Sequence, residues 1–142
     1  MEAASLGVIL DSSIVIEAER QKLNAAQFLK QISGKIGEME VALCSITVAE
    51  LVHGIYRADT PERRERRRAF LDELKSVVPV YPITDATAEL VGKMGAESSA
   101  SGVTIPFDDL LIVACAVERG YAVATRNLRH FQRVPGLKLI SI

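Results

Sequence analysis

The sequence predicts an α/β domain with a mainly parallel central sheet flanked by helices. Three observations carry that expectation. Short apolar runs that do not alternate, such as Val8-Ile9-Leu10 and Val41-Ala42-Leu43-Cys44, read as strands buried on both faces. Segments with apolar residues at helical spacing fall between them, so strand and helix alternate, as right-handed crossovers require. The length, 142 residues, is that of one domain over 1–142, large enough to bury a core without disulfide or metal staples.

Taken in order, the first strand runs into Asp11-Ser12-Ser13, where polarity must end it, and a short helix over 14–20 follows. Ala25, Phe28, Leu29 and Ile32 mark one face of a helix over 25–34, punctuated by Gly34 and Gly37. After the strand 41–44, Ser45 and Thr47 open a helix to about 58 that buries Val48, Leu51, Val52 and Ile55. Thr60-Pro61 is a helix start, a capping hydroxyl with proline in the first turn, for a helix to about 76. Pro79 and Pro82 confine any strand over 77–83 to a sheet edge. Thr84-Asp85 caps the next helix, which frays over 98–102. After a loop over 104–107, Asp108-Asp109 opens a helix to Arg119 that is apolar all round from Leu110 to Val117, the most buried of the set. A strand over 121–124, a polar turn at Thr125-Arg126-Asn127 and a last strand over 137–142 complete the chain.

Composition narrows the class without naming a partner. Apolar residues at 49% and charged residues at 25% are those of a soluble globular protein, and a net charge of -1 gives no bulk attraction to nucleic acid or membrane. Cys44 and Cys115 sit in apolar runs without metal-type spacing and read as reduced core residues. No apolar run reaches membrane-spanning length, and the N-terminus lacks a basic region followed by an apolar stretch. The expectation is a cytoplasmic protein without membrane contact.

Four polar sites follow a strand or open a helix: Asp11, Glu50, Asp108-Asp109 and Asn127. In a parallel sheet the carboxyl ends of the strands share one edge, so these distant segments converge on one cleft. Each has a bland alternative. Asp11 can cap a helix, Thr47-Val48-Ala49-Glu50 matches a capping box, Asp108 can cap the helix after it, and Asn127 can be a turn residue. Capping does not require carboxylates to face one another. Acids that do so raise each other's pKa unless a cation neutralises them, and all-oxygen ligands select Mg²⁺ or Mn²⁺. The chemistry indicated is metal-dependent hydrolysis of a phosphate ester.

Basic residues give a second signal. Arg57, Arg63, Arg64, Arg66, Arg67 and Arg68 stand against Asp59, Glu62 and Glu65, six cations less three anions, a local excess of +3. Such a face neutralises phosphates, or else it is a solvated, partly paired face with Glu62 beside Arg66. Arg126, Arg129, His130 and Arg133 add a basic patch beside Asn127. His130 reads as a substrate or packing residue more readily than as a base.

The segments LDSSIVIE, SITVAEL, DDLLIVACAVERG and ATRNLRHFQRVPGLKLI resemble the four signature blocks of PIN-domain proteins, in family order. Spacing and size are most similar to the VapC toxins of bacterial toxin–antitoxin pairs. The resemblance implies a Rossmann-like three-layer fold and a Mg²⁺- or Mn²⁺-dependent ribonuclease acting on transfer or ribosomal RNA. It implies a homodimer, held inactive by a cognate antitoxin. It carries the family's acids onto Asp11, Glu50 and Asp109, with Asp108 as an additional acid and Asn127 at the fourth acidic position. The expected metal ligands are Asp11 and Asp109 with Glu50. Asn127, an uncharged amide, weakens a second metal site. Ser13, Thr125, Arg126 and Arg129 are the expected substrate contacts. The rival readings are a phosphatase-like hydrolase on a similar fold and a degenerate module that binds RNA or a partner without activity. Ser13 stands where a haloacid-dehalogenase-type site wants a second acid, and neither the phosphoacceptor acid nor the later lysine of a receiver domain is evident.

Overall fold

A computed structural model describes residues 6–142. Its strands are β1 (Gly7–Leu10), β2 (Glu40–Cys44), β3 (Val80–Tyr81), β4 (Ala122–Thr125) and β5 (Leu139–Ser141). Its helices are α1 (Ser12–Arg20), α2 (Ala25–Ile36), α3 (Ser45–Tyr56), α4 (Pro61–Val77), α5 (Asp85–Ala100), α6 (Phe107–Arg119) and α7 (Leu128–Phe131). The strands form one sheet in the order β3-β2-β1-β4-β5, and every pairing is parallel. The proline-flanked segment lies at an edge, because a missing N–H is tolerated only there.

Alternation along β1 splits the core into two layers. Val8 and Leu10 face Ile14, Phe28, Ile32, Phe70 and Leu74, from α1, α2 and α4. Ile9 faces the opposite way, onto Ile112, Val113 and Cys115 of α6, Val91 of α5 and Phe131 of α7. Both layers are apolar, so β1 has no solvent face and its sequence cannot alternate. α6 buries seven residues from Asp109 to Ala116 and ends on Gly120 in the left-handed conformation, φ 68°. Cys44 and Cys115 are buried and unbridged.

Several boundaries differ from the sequence reading, each for a local reason. α1 begins at Ser12, because the Asp11 carboxylate accepts from the Ser12 N–H and caps it there. α2 runs through Gly34 and stops at Gly37, whose φ of 79° suits glycine and whose N–H bonds the Ser33 carbonyl. α5 continues through the small polar run to Ala100. α6 begins one residue early, at Phe107, with Pro106 before it. α7 was unforeseen: four residues show no period, and the buried Phe131 alone pins them.

From β1 the chain steps outward through β2 to β3 at one edge, and from the adjacent β4 it steps outward to β5 at the other. The crevice at the carboxyl ends of β1 and β4 is therefore the topological switch point of the sheet, where open α/β folds bind ligands.

Candidate active site

Asp11 follows β1 directly and is 5% exposed. Its backbone N–H still bonds the Ala124 carbonyl, so sheet pairing holds the residue at the crevice. Its carboxylate accepts three hydrogen bonds. Oδ1 takes the Ser12 N–H at 2.9 Å, and Oδ2 takes the Ser13 hydroxyl at 2.8 Å and the Thr125 hydroxyl at 2.9 Å. Each hydroxyl is itself oriented by a backbone donor of the turn after β4: Arg126 N–H reaches across the crevice to Ser13 Oγ at 3.1 Å, and Asn127 N–H bonds Thr125 Oγ1 within the turn at 2.8 Å. Asp11 is thus a helix cap and also the end point of two relays from the turn after β4. The hydroxyls of Ser13 and Thr125, expected as substrate contacts, are engaged in holding this carboxylate.

Glu50 comes from the second turn of α3. The capping-box reading of Thr47 and Glu50 does not hold, because α3 begins at Ser45, too early for Thr47 to cap it. Thr47 Oγ1 and Glu50 Oε1 are both buried without a hydrogen-bond partner. Glu50 is half-buried, and its pKa is pushed up to about 7 by burial and then by the charges of Asp108, Asp11 and Asp109. Asp108 is a member of the site on the same ground, and the cap reading fails for it too, since the α6 N-terminus has no side-chain cap. Asp109 is buried in the first turn of α6; burial and Asp108 raise its pKa, against the pull of His130. His130 Nδ1 lies 3.5 Å from Asp109 Oδ2.

The acids therefore face one another across the carboxyl edge of the sheet, as the topology requires. Among the described residues no three His, Cys, Asp or Glu side chains are drawn together tightly enough to form a metal-holding group. The donor set nevertheless suits a hard divalent cation, being all oxygen, with one buried carboxylate oxygen unpartnered and two carboxylates discouraged from ionising. Asn127 is exposed, and only its backbone is bonded within the site. Arg126 and Arg129 are exposed and, among the described residues, form no ion pair.

The arginines of α4 are arranged otherwise. Arg63 pairs with Asp59 and Arg68 with Asp72, while Arg66 and Arg67 both reach Glu19 of α1. Arg67 also donates to the Gly54 carbonyl at 2.8 Å. The Arg66 partner is Glu19 rather than the neighbouring Glu62. Two of the run, Arg66 and Arg67, thus brace α4 against its neighbours, Arg63 and Arg68 are spent on local i,i+4 pairs, and Arg64 is left exposed.

The model of the PIN domain matches residues 8–137. The chain belongs to the PIN-domain family. Its VapC relatives include Ribonuclease VapC2 of Haemophilus influenzae, 32% identical over 94% of this chain and 96% of that protein. A tRNA(fMet)-specific endonuclease VapC of Shigella flexneri is 31% identical, with the same coverage. Among solved structures, DNA-bound VapBC from Salmonella typhimurium superposes with a TM-score of 0.79 at 26% identity, over 96% of this chain and 98% of that one. This VapC-type PIN domain thus has the Rossmann-like three-layer fold expected of it. The chain carries no helix long and apolar enough to cross a membrane among its described residues. Sequence reasoning missed the two relays onto Asp11, although their signal was present: a hydroxyl two residues after Asp11 and another two before Asn127. It also missed the contact of His130 with Asp109, because the helix that carries it is too short to be read.

Proposed function

We propose that this PIN domain is a metal-dependent endoribonuclease, the toxin of a VapBC-type toxin–antitoxin pair, cleaving transfer or ribosomal RNA. One observation carries the reading: Asp11 after β1, Glu50 of α3 and Asp109 of α6 face one crevice, and the neighbouring carboxylates help push Glu50 and Asp109 above the ordinary carboxylate range. The names of the VapC relatives support ribonuclease as the reaction class, and the Shigella flexneri relative supports a transfer RNA target.

Mg²⁺ or Mn²⁺ fits Asp11 and Asp109, with Glu50 beside them, and when bound supplies charge to stabilise the phosphoryl oxygens and activate water. Ser13 and Thr125 hold Asp11 in one orientation, and the order of the site rests on them. Glu50 exchanges its proton near neutrality, which suits it to take a proton from the attacking water. Arg126 and Arg129, free of ion pairs among the described residues, hold the RNA backbone, and Asn127 positions water or the scissile phosphate through its amide.

The antitoxin has a seat. A cavity of about 240 Å³ beside Glu50 is walled by Val15, Ile16, Leu51, Ile55 and Phe70, between α1, α3 and α4. An apolar, partly helical segment fits such a groove and would end at the acids. The working form is a homodimer.

The test is Asp11→Asn. The variant should fold, purify and lose metal-dependent cleavage of RNA. Cleavage by Asp11→Asn protein, free of contaminating nuclease, would remove the mechanism. Release of free phosphate from a small phosphoester, with RNA left intact, would favour the phosphatase-like reading.

A further inference from the structure

Among the described residues five polar side chains are buried: Asp11, Thr47, Thr87, Asp109 and Thr125. Four have evident partners. Asp11 and Thr125 bond each other, Thr87 donates to Glu118 at 2.7 Å, and Asp109 faces His130. Thr47 is the exception, 0% exposed with its hydroxyl unpartnered. A threonine inside a helix ordinarily returns that hydroxyl to a carbonyl three or four residues back. Thr47 does not, and it does not cap α3, which starts two residues before it. Valine fills nearly the same space without burying a polar atom. A hydroxyl kept in the interior at this cost calls for a partner.

Glu50 Oε1 is the only other buried side-chain oxygen or nitrogen left without a partner among the described residues. It stands three residues further along α3, on the same face of the helix, where Cβ atoms are about 5–6 Å apart. The two oxygens do not bond each other directly, and one water spans such a gap with a bond of about 2.8 Å to each. Two oxygens are too few for a cation, whereas a buried water is content with two to four polar neighbours. We infer that Thr47 is a positioning residue for Glu50, acting through one water enclosed between Thr47 Oγ1 and Glu50 Oε1. Glu50 as a whole is only half-buried, so Oε2 is the oxygen that meets the cleft. A carboxylate free to turn about its last bond presents either oxygen. The tether removes that choice, and it leaves Oε2 aimed at the place where the attacking water loses its proton. That role rests on the ribonuclease reading; the tether itself rests on the two orphaned atoms.

The experiment uses Thr47→Val, which removes the hydroxyl at nearly constant volume, and Thr47→Ser, which keeps it. Urea melts in chelator of Thr47→Val, Glu50→Met and the double variant form a thermodynamic cycle. Thr47→Val should lower the folding constant about tenfold in the unaltered protein and leave it undiminished in Glu50→Met, where the water has already lost its second oxygen. In single-substrate kinetics on RNA, Thr47→Val should lower kcat about tenfold at unchanged KM, because a fully buried side chain touches no substrate, and Thr47→Ser should recover most of the rate. Equal losses of stability in the two backgrounds, or a Thr47→Ser protein as slow as Thr47→Val, would overturn the tether and return Thr47 to plain packing. A gap without water between the two oxygens in a high-resolution crystal structure of the unaltered protein would overturn it as well. If the cycle shows coupling and the unaltered protein leaves RNA intact, the ribonuclease reading fails and the tether stands. If RNA is cut and the cycle shows no coupling, the tether alone fails.

Discussion

At Asp11 three donors converge on one carboxylate, and two come through hydroxyls fixed by the backbone on the far side of the crevice. An acid held this way cannot rotate to suit its surroundings, which is what a preorganised ligand or catalytic group needs. Thr125→Val removes the donor from Oδ2 and strands the Asn127 N–H. It should lower stability by about 1–2 kcal/mol and slow RNA cleavage by roughly tenfold, read from urea melts and single-turnover rates. Unchanged cleavage would mean that Ser13 orients Asp11 alone. Glu50 is subject to the opposite strain. Its folded pKa, about 7, lies above its ordinary value of 4.5, so the folded state binds its proton more tightly than the unfolded chain does. The contribution is fully present below pH 4.5 and is lost as pH rises through 7. Glu50→Gln should therefore leave the metal-free protein unchanged near pH 4.5 and stabilise it at pH 8. The gain should be on the order of 1 kcal/mol, since water screens a half-buried carboxylate. Thermal melts in chelator at the two pH values decide it, and equal shifts at both would remove the repulsion argument.

Among the elements, those with a chemical start signal were legible. Thr60 caps α4 with Pro61 behind it, and Thr84 caps α5 through a reciprocal pair with Thr87, as the residue types announce. α3 begins at Ser45 as read, but its Thr47–Glu50 capping box does not form, and α6 begins one residue before Asp108; Cys44 and Pro106 precede these helices and neither offers a side-chain cap. The polar residues just inside, which resemble caps, are there for the cleft. Capping chemistry and site chemistry use the same residue types at the same place, so one sequence cannot separate them until the first turn is located. β1 gives a sharper case. A Cβ on Gly7 would lie 2.6 Å from the Glu40 carbonyl oxygen and 2.8 Å from the Tyr121 ring. Gly7 pairs with Glu40 in the parallel ladder, so the carbonyl cannot retreat without opening β1 from β2. Gly7→Ala should cost about 1–3 kcal/mol, seen as a lowered urea midpoint at an unchanged slope. A variant as stable as the parent would show that Tyr121 and the start of β2 yield freely.

Across the whole molecule, an all-parallel sheet does what no local signal can: it brings residues 11, 50, 109 and 127, separated by most of the chain, to a single edge. That convergence was legible because it follows from strand–helix alternation alone. The distances between side chains were not, since they depend on how α3 and α6 pack rather than on the order of elements. The carboxylates share the cleft without forming a tight group of three among the described residues. This is the arrangement magnesium uses, which keeps several waters and takes one or two carboxylates before substrate phosphate arrives. Binding without RNA should consequently be real but single, on Asp11 and Asp109, with the amide of Asn127 adding no charge for a second ion. Mn²⁺ at about a hundredfold over its Kd would stabilise the folded state by about 2.7 kcal/mol, raising the melting temperature by roughly 10 °C. The same titration on Asp109→Ala should give no shift, while Asn127→Ala should keep nearly all of it. An equal rise in Asp109→Ala would put the ion elsewhere on the surface. A total loss in Asn127→Ala would make the amide an indispensable ligand and return the fourth position to the metal site.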